Sequence, residues 1–214
     1  SIERHLLSQA LFTYLLTGRV TDSEAIPLIA ARKELRRCKV FDQRARSLAL
    51  QSRATWEELS NLFAQKDKKG VWTFLATAQD QRGRRLLPYM ATLRNLRNMM
   101  EAGVDQKALD SSLAYLQENV ATSKQFPFRF YTAAALVRAE NMQFWQPGYQ
   151  SWQGNGEHRQ TMRRFQQFRE RVDPRLRRQV QAVLEDCLRR SAEVLPRLPG
   201  TTFLVTDVSG SMTT

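Results

Sequence analysis

Apolar residues recur at helical spacing along most of the chain. In the first segment Leu7, Ala10, Leu11 and Leu15 fall at i, i+3, i+4 and i+8, which is the spacing of one face of an α-helix. Gly18 follows directly, and glycine is common just beyond the end of a helix. The pattern predicts an N-terminal helix that ends at Gly18.

Two kinds of signal mark where later helices begin. Thr21 and Glu24 have the spacing of a capping box and predict the start of a second helix, although Pro27 is expected to kink that start or to move it to the proline. Thr55 and Glu58 repeat the capping box.

The dipeptide Asp173-Pro174 is typical of an N-cap residue followed by proline in the first helical position. Taken together, these signals predict about eight helices of moderate length. We therefore expect an all-α fold, built as an array or bundle with HEAT-like stacked pairs as one solution.

The pattern changes at Gly200, which we take as a domain boundary between residues 1–199 and 200–214. Residues 201–206 are β-branched and apolar and lie between turn-forming residues, so they predict a buried strand. Asp207, Ser209 and Ser211 follow it and place three oxygen groups on one side of a loop. Oxygen ligands suit Mg²⁺ or another divalent cation, and the alternative is an ordinary turn. Because three ligands do not complete a site, we expect weak metal binding or none within these residues.

The charge balance points to a polyanionic partner. The chain has 33 Lys and Arg against 21 Asp and Glu, a formal net charge of +12. Such an excess is typical of proteins that bind nucleic acid, with an anionic membrane surface as the second candidate. The alternative is a solvated basic surface without a partner.

Basic residues cluster at several places, and each cluster is a candidate RNA contact. One cluster is an Arg-rich turn followed by a helix with arginines and asparagine on a polar face, which suits phosphate and base-edge contacts. Taken singly, such a cluster is more often a solvated helix face. The candidate RNA-binding residues are Arg82, Arg84, Arg85, Arg94, Arg97, Asn98, Arg36, Arg37, Lys39, Arg163 and Arg164, and further clusters hold Lys66, Lys68, Lys69, Arg169 and Arg171.

Three aromatic residues, Phe126, Phe128 and Phe130, precede the apolar stretch that ends near residue 139. Exposed aromatic rings can stack on nucleic-acid bases. We expect core packing at a helix start instead.

The composition argues against several classes of protein. The two cysteines, Cys38 and Cys187, do not suggest a disulfide framework, and His5 and His158 are too few for a zinc site or a histidine-dependent nucleophile. We expect no enzyme, no membrane span and a cytoplasmic location, with the nucleus as a second compartment.

Four stretches together resemble the TROVE module family, which includes the Ro autoantigen and the telomerase- and vault-associated protein. They are EAIPLIAARKELRRCKVF (24–41), LLPYMATLRNLRNMMEAGV (86–104), SKQFPFRFYTAAALVRAE (123–140) and LPGTTFLVTDVSGSM (198–212). The last stretch is similar to the junction into a von Willebrand factor A domain and to the first part of its metal site.

This resemblance implies a ring-like array of HEAT-type helices that binds small structured non-coding RNA, such as Y RNA or telomerase RNA, on a basic surface. It also implies that Asp207, Ser209 and Ser211 are the first metal ligands. We expect a scaffold protein of a ribonucleoprotein particle. Its further partners are expected to be proteins of that particle, and no membrane partner is expected. The alternative is an interaction adaptor, for example for a MoxR-type AAA+ ATPase, which would hold a partner's carboxylate through the metal site.

Overall fold

The computed structural model describes residues 2–138 and 166–195, and all regular secondary structure within these ranges is helical. The described residues form eleven helices rather than about eight, because short helices such as those at residues 43–51 and 120–123 carry too few turns for a clear period. The helices are α1 (Ile2–Thr17), α2 (Pro27–Arg37), α3 (Gln43–Gln51), α4 (Trp56–Phe63), α5 (Lys68–Thr77), α6 (Tyr89–Ala102), α7 (Gln106–Glu118), α8 (Val120–Ser123), α9 (Pro127–Arg138), α10 (described over 166–171) and α11 (Pro174–Glu193).

Several helix boundaries agree with the local signals in the sequence. Thr55 is the N-cap of α4 and accepts a hydrogen bond from the Glu58 backbone N–H at 3.3 Å. Asp173 caps α11 by accepting from the Arg175 N–H at 2.7 Å, with Pro174 in the first turn. Gly18 ends α1 with φ of +65°, a value that glycine adopts without steric strain. These three predictions are confirmed.

The predicted capping box at Thr21 is wrong. Helix α2 begins at Pro27, and its N-cap residue, Ile26, has no side-chain capping bond. The Asp22 carboxylate instead accepts from the backbone N–H groups of Glu24 and Ala25, at 2.9 and 3.0 Å. This Asx-type turn satisfies the backbone locally, so the chain starts its helix only at the proline.

Two compact units divide the chain. The first comprises Ser1–Pro88 and Ala102–Ser112. Within it α2 packs on α3 and α4 packs on α5, and an aromatic cluster holds the core together. The ring of Phe41 lies 5.2 Å from that of Phe63 and 5.4 Å from that of Phe74.

The second unit comprises Tyr89–Glu101 and Leu113–Thr214. Its most extensive helix packing is between α9 and α11, and the buried face of α11 includes Val180 and Leu184. Tyr89 anchors α6 here: its hydroxyl donates to the Leu116 carbonyl at 2.8 Å. Burial raises the pKa of this phenol, so the neutral, hydrogen-bonded form persists well into alkaline solution.

Helix α1 has an apolar stripe that the described residues do not cover. Of the residues that define its period only Ala10 is buried, whereas Leu15 is 71 % exposed. The pattern therefore predicted the helix correctly, but a helical period alone does not supply a packing partner.

The predicted domain boundary at Gly200, the strand at 201–206 and the loop with Asp207, Ser209 and Ser211 lie outside the described residues. The HEAT-type ring stays a prediction.

Candidate nucleic-acid interface

A groove between α6 and α9 is the most promising binding feature in the described part of the second unit. Its volume is about 290 Å³, close to the lower end of the range of about 300–1,000 Å³ for small-molecule pockets. Its apolar base is formed by side chains from both helices, listed here: Met90, Leu93, Leu96, Ala133, Leu136 and Val137. Leu93, Leu96 and Val137 are almost fully buried, so the base of the groove belongs to the hydrophobic core of the second unit.

Three arginines and one aromatic ring complete the groove. Arg94 and Arg97 come from α6, and Phe128 and Arg129 from α9. Arg94 and Arg129 are exposed, and neither guanidinium has a hydrogen-bond or ion-pair partner among the described residues. Two uncompensated positive charges therefore flank an apolar groove.

The three phenylalanines at the start of α9 have different environments. Phe130 is completely buried, and its ring packs edge-on against that of Tyr89 with 6.4 Å between the ring centres, as expected for a core residue. Phe128 is 59 % exposed and Phe126 is 69 % exposed, so the predicted core role is wrong for these two rings. Successive residues of a helix point about 100° apart, so one residue of such a run can enter the core while its neighbours stay in solvent.

Arg97 and Asn98 are more constrained than their place on a polar face suggests. Arg97 pairs with Glu101 at 2.8 Å, and its guanidinium lies 5.0 Å from the centre of the Phe168 ring. The Asn98 amide donates to the Asn95 side chain at 2.8 Å. Of these three predicted residues, Arg94 alone has no side-chain partner among the described residues, whereas Arg97 and Asn98 have intramolecular contacts.

The Arg-rich turn before α6 is organised by Asp80 in the first unit. The Asp80 carboxylate accepts from the backbone N–H groups of Arg82 and Arg84, at 2.8 and 2.9 Å, and pairs with the Arg84 guanidinium at 2.7 Å. The backbone and side-chain bonds from Arg84 lower the pKa of Asp80. Gly83 completes the turn with φ of +74°.

Arg85 lies at the end of the same turn and is partly buried. Its guanidinium donates to the Ser111 carbonyl at 3.1 Å, to the Ser111 hydroxyl at 3.2 Å and to the Ala76 carbonyl. Of the three predicted residues in this turn, Arg82 alone has an exposed guanidinium with no partner in the described ranges.

The predicted cluster at the end of α2 is largely neutralised. Arg36 pairs with Glu58 at 3.2 Å, where Arg32 also pairs at 3.0 Å, and Arg37 pairs with Glu34 at 2.7 Å. These pairs are exposed on the arginine side and contribute little to stability, but they reduce the local positive potential.

Lys39 follows the same helix and stays exposed. Its ammonium has no partner in the described part of the chain. These α2 residues belong to the first unit, whereas the groove lies in the second.

Arg163 and Arg164 lie outside the described residues, as do the predicted metal ligands. Within residues 2–138 and 166–195, no group of three or more His, Cys, Asp and Glu side chains could hold a metal ion. Both Cys38 and Cys187 are free thiols. No helix in these ranges is long and apolar enough to cross a membrane.

Arg129 is the main residue that the sequence analysis missed. It stands in the run Phe126–Phe130, which predicted packing, and it is an isolated arginine rather than a member of a cluster. The signal that could have found it is the alternation of aromatic and basic residues, which is typical of single-stranded nucleic-acid sites.

The comparison with protein families assigns the helical region. The model of the TROVE domain matches residues 31–196, which include α2 to α11 except for the first residues of α2. No solved structure matches this chain.

Proposed function

This chain belongs to the TROVE domain family, and from that premise we propose that it is an RNA-binding scaffold of a ribonucleoprotein particle. TROVE domains are associated with RNA-binding ribonucleoprotein proteins. The proposed ligand is a small structured non-coding RNA, bound through a basic helical surface, and the role is binding rather than catalysis. The cytoplasm is the proposed compartment, and further proteins of the particle are the proposed partners.

The observation that carries this proposal is the pair of exposed guanidinium groups of Arg94 and Arg129, which have no partner among the described residues, beside the exposed ring of Phe128. Other candidate arginines, such as Arg36 and Arg84, are held by carboxylates. A guanidinium without a carboxylate partner is free to replace the counterions of a phosphate group, which is the main source of affinity for nucleic acid. The net charge of +12 adds long-range attraction.

Binding of a fluorescently labelled RNA hairpin with an unpaired loop, measured by anisotropy at several salt concentrations, tests the proposal. We expect tight binding whose affinity falls steeply and linearly on a plot of log K against log salt. Heparin at equal charge concentration provides the control for non-specific polyanion binding. Affinity independent of salt, or complete competition by heparin at equal charge, contradicts the proposal.

For residues 200–214 we propose the first strand and metal loop of a von Willebrand factor A domain, with Asp207, Ser209 and Ser211 as ligands of Mg²⁺ or another divalent cation. The support is the donor set, because carboxylate and hydroxyl oxygens suit a hard cation. Equilibrium dialysis with Mn²⁺ as the probe, comparing the natural chain with Asp207→Ala, tests it. Because three ligands do not complete a site, we expect weak Mn²⁺ binding that Asp207→Ala lowers. Measurable and equal Mn²⁺ binding by both proteins excludes this loop as the site.

A further inference from the structure

We propose that the groove between α6 and α9 is a pocket for one unpaired nucleobase of RNA, with the ring of Phe128 as the stacking surface and Arg94 and Arg129 as phosphate contacts. This inference rests on the proposed function and adds the ligand class and the residues. It assigns the groove to single-stranded nucleotides, whereas the open arginines alone suit any phosphate backbone.

The first argument is the chemistry of the groove. Its base is apolar, and its described lining includes three arginines and no acidic side chain. An apolar base excludes a phosphate, which would lose its water without a partner there. A nucleobase presents a flat, weakly hydrated face and is compatible with the half-buried apolar side chains of Met90 and Leu136 in the lining.

The second argument is the exposed ring. Phe128 is 59 % exposed at the edge of the groove, although its neighbour Phe130 is fully buried. Sequence-tolerant single-strand sites combine such rings with nearby positive charge. The hydroxyl of Thr132, which also lines the groove, donates to the Phe128 carbonyl at 2.9 Å. A ligand therefore meets mainly apolar surface here.

The third argument separates unpaired from paired bases. Bases inside a duplex are stacked on both faces, so their flat surfaces cannot reach the bottom of a groove of about 290 Å³. A loop or an unpaired end can turn one base into it. Arg94 on α6 and Arg129 on α9 both line the groove, so each is available to a phosphate that flanks the base.

The test compares two RNA probes with the whole chain: an octanucleotide single strand that carries one 2-aminopurine, and a blunt duplex of the same sequence. We expect Phe128→Ala to weaken single-strand binding about 5- to 150-fold, the effect of losing one stacked base. Duplex affinity stays the same. The quenching of 2-aminopurine on binding, which reports stacking, disappears in the variant.

Matched variants separate stacking from charge. Phe126→Ala removes an exposed ring that does not line the groove and is expected to bind as the natural chain does. Phe128→Tyr keeps an aromatic surface and is expected to restore quenching. The loss from Phe128→Ala is independent of salt, whereas the loss from Arg129→Gln shrinks as salt rises, because only the charged contact releases counterions.

Three outcomes decide the matter. Equal losses of affinity for the single strand and the duplex overturn the base pocket, and so does an unchanged single-strand affinity of Phe128→Ala. In both cases RNA binding by the chain stands. The second result would favour a protein segment as the ligand of the groove. If the natural chain binds neither probe nor the hairpin, the proposed function itself fails. Circular dichroism and Tm of Phe128→Ala are expected to match the natural chain, since the ring is mostly in solvent.

Discussion

The guanidinium of Arg97 lies 5.0 Å from the centre of the buried Phe168 ring. The same guanidinium pairs with Glu101 at 2.8 Å on its own helix. Arg97 therefore connects α6 to α10 by a cation–π contact, and its positive charge is paired with the Glu101 carboxylate and the Phe168 ring. Its neighbour Arg94, three positions earlier, has neither contact.

Arg97→Gln is expected to lower stability more than RNA affinity. A partly buried cation–π contact contributes about 0.5–2 kcal/mol and an i,i+4 ion pair about 0.3–0.5 kcal/mol. We expect a loss of about 1–2 kcal/mol in the free energy of unfolding and a fall in Tm of about 2–8 °C. Thermal unfolding followed by circular dichroism measures it. An unchanged Tm means that the contact with Phe168 does not stabilise the fold.

Arg94→Gln is expected to show the opposite behaviour. Its side chain is exposed without a partner in the described ranges, so Tm stays within about 1 °C. RNA affinity falls, and the slope of log K against log salt becomes shallower by about 0.7–0.9, the value for one phosphate contact. Arg178→Gln, an exposed arginine of α11 outside the groove, is the control. Equal effects of the two substitutions indicate diffuse charge attraction rather than a contact at Arg94.

Asp80→Asn is expected to loosen the turn at residues 79–85 in a pH-dependent way. Hydrogen bonds from Arg84 lower the pKa of Asp80 below its usual value of 3.8. A carboxyl whose folded pKa is lowered stabilises the fold above its unfolded pKa, and that contribution disappears as pH falls through the folded value. The Tm difference between the natural chain and Asp80→Asn should therefore be largest above about pH 5.

The same difference should shrink steadily below about pH 4, because protonated Asp80 resembles asparagine. Calorimetric scans between these pH values check the trend. A difference that grows in acid contradicts the assignment of the turn to ionised Asp80.

Cys187 is expected to resist modification until the protein unfolds. Burial raises the pKa of its thiol to about 12, and the thiolate is the reactive form. Cys38 is only partly buried. With Ellman's reagent at pH 8 we expect one thiol per chain to react quickly and the second to react only in denaturant. Cys38→Ser should remove the fast phase, and a fast phase that survives in this variant contradicts the burial of Cys187.

Gly70→Ala is expected to bring none of the usual gain of replacing glycine in a helix. A Cβ at Gly70 would lie 2.0 Å from Oδ2 of Asp67, whose Oδ1 caps α5 by accepting from the Gly70 N–H at 2.8 Å. The gain in helix propensity, about 1 kcal/mol, is offset by loss of the cap, about 1 kcal/mol.

A double-mutant cycle isolates this coupling. In an Asp67→Ala background the clash is absent, and Gly70→Ala should then stabilise by about 1 kcal/mol in chemical denaturation. Equal effects of Gly70→Ala in both backgrounds would exclude the steric conflict.

The local features of the fold could be predicted from the sequence, because neighbouring residues produce them. Thr55 and Asp173 cap their helices through backbone groups only two or three residues away. The turn at Thr21 was mispredicted for a related reason: Asp22 competes for the same backbone N–H groups, and the pattern does not rank the two oxygens.

The candidate site could be predicted only in part. Arg94 was recognised from its polar helix face, whereas Arg129 and the exposed ring of Phe128 were not. They line one groove with Arg94 because α9 packs beside α6. Arg94 and Arg129 are 35 positions apart in the sequence. Helical period tells which residues share a face, and it does not tell which face another helix covers.

The sequence by itself determined the helical class, the helix starts at Thr55 and Asp173, the excess of positive charge and the family. The helix starts depend on contacts within one turn of helix, the charge depends on composition, and the family depends on the residues of a few stretches. Only the tertiary structure decided which positive charges remain open. Arg36 meets Glu58 at a separation of 22 residues, Arg97 meets Phe168, and Arg94 meets no partner among the described residues. Whether an arginine can bind RNA depends on the carboxylates and rings that folding brings to it, and those come from distant parts of the chain.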